Sequence, residues 1–225
     1  MCGRYSLFTD LETILERFSI EAAADGFEYE PAYNIAPGQE IVTVINSNGS
    51  NKIGKLKWGL IPFWAKDSKI GNKLINARAE TIAKKPSFKH SFQRKRCLVL
   101  GDSFYEWKKE DDKKIPMRIR VDQGRLFAMA GLWDKWKDKN GESVFTCTII
   151  TTRPNDLMKD IHNRMPVILS KEEEQAWLDP RNQNANDLEE LLVPFPEHKM
   201  DAYRISSAIN SPKNNFPECI KPISG

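Results

Sequence analysis

The sequence predicts an α+β fold: a curved, mainly antiparallel β-sheet or open barrel with inserted and flanking helices. Three observations lead there. β-rich runs crowd the middle of the chain, each divided from the next by turn chemistry. Helix signals, in the form of capping spacings and a 3.6-residue apolar period, appear only at a few isolated places. No period of about 20–50 residues recurs, which disfavours solenoids and propellers.

After a short N-terminal strand, Thr9 and Glu12 stand at capping-box spacing while Leu11, Ile14, Leu15 and Phe18 repeat at i, i+3, i+4, i+7. A helix with one buried stripe is expected. Glu40–Ile45, a polar turn rich in Asn, Ser and Gly through Asn51, and a partner run ending at Lys57-Trp58 read as a hairpin. Cys97–Leu100, Phe104–Lys108, Pro116–Val121, Leu126–Trp133 and Val144–Thr151 follow as strands, separated by Asp111–Lys114, Asp122–Gly124 and Lys137–Ser143. Pro154 suits a helix start before Leu157–Ile161, Ser170 with Glu173 makes a capping box ahead of Ala176-Trp177-Leu178, and Asp187–Leu192 forms a short third segment. The Pro-punctuated tail Ser211–Pro222 is expected to be irregular.

The chain has 225 residues, 40% hydrophobic and 29% charged, and its 34 Lys+Arg against 31 Asp+Glu leave a net charge of +3. That balance excludes wholesale disorder and a generally basic protein. Its 12 Gly and 13 Pro are scattered without forming a linker, so residues 1–225 are expected to be one domain. The longest apolar runs, such as Ile41–Ile45, Cys97–Leu100 and Met165–Leu169, fall far short of the roughly 20 residues a membrane-spanning helix needs. Met1-Cys2-Gly3-Arg4-Tyr5 shows no apolar leader, so a cytoplasmic location and no membrane partner are expected. Cys2, Cys97, Cys147 and Cys219 lie far apart with no C-x-x-C, which points to neither a disulfide framework nor a metal site. Cys97 and Cys147 sit in apolar strand runs and read as core.

Cys2 is different. Removal of Met1, usual before a small second residue, would leave an α-amine and a thiol two carbons apart. Such a 1,2-aminothiol captures an aldehyde twice: the amine forms a Schiff base and the thiol closes on the imine carbon to give a thiazolidine. With reference pKa values of about 8 and about 8.5, part of each group is nucleophilic near neutrality. A casual cysteine at a frayed terminus would look the same.

Other polar groups fall into suggestive patterns. If Leu74–Thr81 is extended, Asn76, Arg78 and Glu80 share one side and could line a groove or form a solvated face. Lys84–Arg96 holds six cations, Lys84, Lys85, Lys89, Arg94, Lys95 and Arg96, with Phe88 and Phe92 interleaved and no acid. Basic residues with aromatics suit single-stranded nucleic acid, and a solvated face is the alternative. Glu106 lies between Tyr105 and Trp107, where desolvation could fit it for proton transfer unless it points outward. His162 could be a general acid–base or a helix cap, and Arg164 a phosphate fork. Trp58-Gly59-Leu60-Ile61-Pro62-Phe63-Trp64 must turn at Gly and Pro and could expose Trp64 as a platform. Phosphate-loop, serine-hydrolase and zincin motifs are absent from the sequence.

In combination these motifs carry a resemblance. The opening Met-Cys-Gly-Arg-Tyr, Trp58–Trp64, Asn76-Ala77-Arg78-Ala79-Glu80-Thr81, Phe104-Tyr105-Glu106-Trp107-Lys108, His162–Leu169 and the Ser211-Pro212 and Pro217-Glu218-Cys219 tail appear in one order along the chain. Together they resemble the SOS response-associated peptidase (SRAP) family, also called abasic-site processing proteins. The chain departs from the family pattern at Ser103, where Gly is frequent, and at Leu100-Gly101, where Pro-Ala is frequent.

The resemblance implies that mature Cys2 traps the ring-opened aldehyde of an abasic site in single-stranded DNA as a thiazolidine crosslink. It implies catalytic roles for Cys2, Asn76, Glu106 and His162: Asn76 orienting Cys2, Glu106 managing protons, and His162 assisting sugar ring opening. It further implies DNA contacts from Arg4, Arg78 and Arg164 to phosphates and from Trp64 and Trp107 at the bent strand. The expected partner is single-stranded DNA containing abasic sites, with the protein nucleoid-associated through DNA. No cofactor and no metal are called for, and a monomer is the default. Two other functions compete with this crosslinking enzyme. One is a thiol-dependent autopeptidase or N-terminal-nucleophile hydrolase, for which the sequence offers only Met1 ahead of Cys2. The other is a non-covalent single-stranded DNA-binding module built on Lys84–Arg96.

Overall fold

Residues 3–223 are described by a computed structural model, in which the strand-forming runs pair into two sheets. In chain order the elements are β1 (Tyr5–Leu7), α1 (Leu11–Arg17), β2 (Ile20–Ala23), β3 (Ala32–Ile35), β4 (Glu40–Ser47), β5 (Ser50–Trp58) and β6 (Asn76–Arg78). Next come α2 (Pro86–Arg94), β7 (Arg96–Gly101), β8 (Ser103–Glu110), β9 (Lys113–Val121), β10 (Phe127–Lys137) and β11 (Ser143–Thr152). The chain finishes with α3 (Asp156–Lys159), β12 (Met165–Pro166), β13 (Ile168–Leu169), α4 (Lys171–Leu178), α5 (Ala185–Glu190) and β14 (Met200–Arg204).

The expected hairpin forms between β4 and β5 in register from Glu40–Lys57 to Ser47–Ser50. Strand β4 also pairs antiparallel with β7, β7 with β10, and β10 with β11. A short parallel contact of β11 with β5, Thr146 beside Lys57 and Cys147 beside Trp58, then joins the two ends of this series. The five strands therefore close into a barrel, which removes their edges from solvent. Cys97 and Cys147 are fully buried as core residues, and burial raises both thiols well above their ordinary pKa. The second sheet has the order β14-β9-β8-β1-β3, all antiparallel. Against it the tail packs Ile205, Ile209 and Cys219 around Tyr105, with 3-10 turns at 207–210 and 217–220 giving the irregular segment some order. No described helix is long and apolar enough to cross a membrane.

Helix boundaries depart from the sequence reading where a neighbouring polar residue makes the better cap. Asp10, not Thr9, caps α1 by accepting from Thr13 N–H at 2.8 Å. The Thr9 hydroxyl instead donates to the buried Asp102 carboxylate. Helix α3 starts just after Pro154 instead of at it, because Asn155 caps it, accepting from Met158 N–H at 2.9 Å. The Ser170–Glu173 capping box forms as expected at the start of α4.

The turn after β5 depends on one close approach. Gly59 has φ +133°, and a Cβ there would lie 2.8 Å from the Gly71 carbonyl oxygen. Beside it Trp58 is buried, with Nε1–H donating to the Ile75 carbonyl at 2.8 Å. Substituting Gly59→Ala adds both a steric clash and an unfavourable φ, and is expected to lower stability by about 3 kcal/mol. Gly141→Ala, at φ +84° with nothing within 4 Å, should cost about 1 kcal/mol. Urea unfolding of the two variants checks the difference.

Candidate active site

Strand β1 lies between β3 and β8, with Tyr5 opposite Phe104 and Ser6 opposite Ser103. The pairing continues one residue towards the N-terminus, because Tyr105 N–H donates to the Arg4 carbonyl at 2.9 Å. Side chains alternate along β8. Tyr105 joins the tail cluster, its hydroxyl donating to the Tyr33 carbonyl at 2.7 Å. Glu106 turns to the other face and brings Oε1 to 3.8 Å from Nδ1 of His162.

Glu106 is only 3% exposed, so the outward-pointing alternative does not hold. Burial pushes its carboxyl up to about 7. The His162 backbone N–H closes the turn after α3 on the Met158 carbonyl at 2.8 Å. Its ring does not cap that helix: Nδ1 lies against the Arg164 backbone, 3.1 Å from its N–H and 3.2 Å from its carbonyl oxygen. Burial lowers the His162 pKa. At 3.8 Å the two side chains lie beyond hydrogen-bonding distance of each other, and burial is the largest cause of each shift. Near neutrality the site therefore combines a carboxyl poised to gain or lose a proton with a neutral imidazole.

Asn76 and Arg78 enter on β6, which runs parallel to β11 with Asn76 beside Ile149 and Arg78 beside Thr151. The expected alternation ends there. Residues 79–81 form a 3-10 turn, so Glu80 leaves the line of Asn76 and Arg78 and meets Arg164. The Arg164 guanidinium donates to both Glu80 oxygens at 2.7 and 3.0 Å and to the Thr151 carbonyl at 2.5 Å. This fork holds a protein carboxylate in place, and the same contact keeps Glu80 below the usual carboxylate range. Arg78 is exposed and, among the described residues, forms no ion pair.

Arg4 is also engaged within the protein. One guanidinium nitrogen donates to Asn34 Oδ1 at 2.8 Å and to the Ile209 carbonyl at 2.6 Å. The group lies 5.7 Å from the centre of the Trp107 ring, whose Nε1–H donates to Asn210 at 2.7 Å. Trp107 is thus half-buried beside Arg4, whereas Trp64 stands apart on the loop 61–66, 48% exposed. Cys2 lies outside the described residues.

Sequence reading missed Asn34. Its buried amide donates to the carbonyls of Ile209, Ser211 and Asn214 and ties the tail to β3 beside Arg4. The available signal was an asparagine inside a strand run, where that residue type is disfavoured. The basic stretch Lys84–Arg96 also needs correction. It folds mostly into α2 with Phe88 and Phe92 in the core, so neither ring can meet a base. Arg96 is buried too, donating to five backbone carbonyls, and Lys95 pairs with Asp134 at 2.6 Å. The stretch is therefore largely structural, and only Lys84, Lys85, Lys89 and Arg94 keep exposed charges. Among the described residues no group of three or more His, Cys, Asp or Glu is placed to hold a metal.

With this geometry in view, the chain was compared with known proteins. The family model described as SOS response associated peptidase (SRAP) matches residues 1–212. The chain is 54% identical over 222 residues to the abasic site processing protein YoqW of Bacillus subtilis (strain 168), covering 98% of this chain and 99% of that protein. It is 32% identical over 230 residues to the abasic site processing protein HMCES of Xenopus tropicalis, covering 88% and 68% respectively. A crystal structure of a Bacteroides thetaiotaomicron protein superposes with a TM-score of 0.88 at 32% identity, over 99% of this chain and 100% of that one. The order of motifs, the closed barrel and these likenesses agree: the chain belongs to the SRAP family of abasic-site processing proteins.

Proposed function

We propose that the protein captures the ring-opened aldehyde of an abasic site in single-stranded DNA through Cys2 and holds it as a thiazolidine. One observation carries the reading: the Tyr105–Arg4 backbone hydrogen bond pins the N-terminal strand beside the residue that precedes Glu106. Two further residues of chain span at most about 7 Å, which is the reach available from Arg4 towards the Glu106–His162 pair. The names of the relatives, abasic site processing proteins, support the substrate class.

The reaction needs no redox partner. The Cys2 amine adds to the aldehyde carbon, and loss of water gives the imine. The thiol sulfur then bonds to the imine carbon while its proton ends on nitrogen. Dehydration requires an acid at the departing hydroxyl and ring closure requires a base at the thiol. A carboxyl titrating near 7 serves both in turn. His162, kept neutral by burial, assists opening of the sugar ring, and Asn76 orients Cys2. Arg78 offers an exposed charge to a phosphate, Arg4 and Trp107 flank the entry of the N-terminal strand, and Trp64 stacks on the strand. Arg164 reaches a phosphate by exchanging Glu80 for it.

Incubation with a single-stranded oligonucleotide bearing one abasic site should give a band on a denaturing gel that requires both the lesion and Cys2. Cys2→Ala should abolish it; a full yield from that variant would refute the proposal. Peptide cleavage that depends on Cys2, with no DNA adduct, would favour the thiol-peptidase reading instead. In single-turnover crosslinking, Glu106→Gln should slow the reaction by roughly 100-fold or more. It should also remove the inflection near pH 7 that the wild-type profile shows as the carboxyl passes from acid below to carboxylate above. An inflection that persists in Glu106→Gln would assign it to another group.

A further inference from the structure

The aromatic surface that α2 does not provide occurs elsewhere. Phe63 is 53% exposed and Phe145 is 42% exposed, an unfavourable arrangement for large rings unless something covers them. They are the two ends of a strip. Phe63 meets the exposed His90 edge-on at 5.4 Å between ring centres. Lys95 Nζ stands 6.0 Å from the centre of Phe63 and 5.5 Å from that of Trp133. Trp133 lies 6.3 Å from Phe145, and Lys135 Nζ is 5.4 Å from the Phe145 ring. The β10–β11 register holds this end together, with Lys135 directly opposite Phe145. Trp64 follows Phe63 in the chain.

We propose that this strip is a second nucleic-acid contact, a stacking track for undamaged single strand flanking the lesion. The identity of the strand rests on the function proposed above. Lys95 stands near both Phe63 and Trp133, and Lys135 near Phe145, so the strip offers what a single strand needs: faces for successive bases and positive charge for phosphates. A protein partner would fit less well, because lysine is depleted from the cores of protein interfaces. Asp134 neutralises part of the Lys95 charge, so Lys135, which forms no ion pair among the described residues, carries the phosphate attraction. Position agrees as well. Phe145 precedes Ile149, the neighbour of Asn76, by four residues of β11, a distance of about 13 Å. That is the length of about four stacked nucleotides.

The test compares wild-type protein with the double variant Phe63→Ala/Phe145→Ala and with Lys135→Glu. Affinity is read by fluorescence anisotropy on undamaged single strands of about four and about fifteen nucleotides. Crosslinking is read separately on an abasic oligonucleotide with short flanks. Both rings of the double variant are exposed, and an unchanged melting temperature confirms its fold. The double variant should lose roughly tenfold in affinity for the long strand, and Lys135→Glu should reduce the salt dependence of that binding by about one unit of slope. Both should crosslink the short-flanked lesion like the wild type.

Equal affinity of wild type and double variant for the long strand would overturn the proposal, as would an equal loss on the short one. A wild-type dimer that the double variant abolishes, with DNA affinity unchanged, would also overturn it and assign the strip to a contact between copies. Loss of long-strand affinity in a protein that never crosslinks would uphold the strip and refute the Cys2 chemistry alone.

Discussion

The N-terminal strand lies inside a sheet, hydrogen-bonded to β3 on one side and β8 on the other. Most of the site depends on that constraint. An end strand left at the surface would fray, and the chain leading to Cys2 would have no fixed relation to any acid or base. Held where it is, it has Tyr105 donating to the Arg4 carbonyl and Glu106 as the next residue on β8. The same two-residue alternation that sends the Tyr105 ring into the tail cluster sends the Glu106 carboxyl to the opposite face. Burial of that carboxyl costs stability whenever it is ionised. This cost is what moves its proton affinity into the range where it can act near neutral pH.

A second layer of interactions fixes the groups around this pair. Arg164 holds Glu80 and the Thr151 carbonyl together, and its own backbone meets Nδ1 of the His162 ring. Arg4 and Asn34 do the corresponding work on the other side by gathering the carbonyls of the tail, so the 207–220 segment is bound to the second sheet by buried polar contacts as well as by apolar packing. In both cases an arginine that could face a phosphate already has a protein acceptor. A strand of DNA would compete with these acceptors rather than fill a ready-made anion site. Arg78, exposed on β6, is the exception.

Much of the strand order was legible because turn residues and β-branched runs are local signals. The β4–β5 hairpin and the strands from β7 to β11 lie where the sequence places them, as does the Ser170–Glu173 capping box. The failures have a common form. Thr9 had suitable chemistry at suitable spacing, yet Asp10 took the cap, because Thr9 was drawn to Asp102, some 93 residues away in sequence; Pro154 stands just ahead of α3, whose cap is the next residue, Asn155. In Lys84–Arg96 the cations and rings were counted correctly but not their directions. A helical period turned Phe88 and Phe92 inward, and Arg96 followed to satisfy carbonyls at the end of α4.

By itself, then, the sequence determined the family, the β-rich fold class and the residue types available for chemistry, since motifs and periodicities are properties of neighbours along a chain. Tertiary structure decided which of those residues meet. Closure of the barrel rests on two parallel residue pairs between β11 and β5, whose strands are far apart in sequence. The approach of Glu106 to His162, the capture of Arg164 by Glu80 and the strip from Phe63 to Phe145 likewise join distant segments. Burial is a property of the whole fold, so no local pattern could distinguish a buried Glu106 from a solvated one.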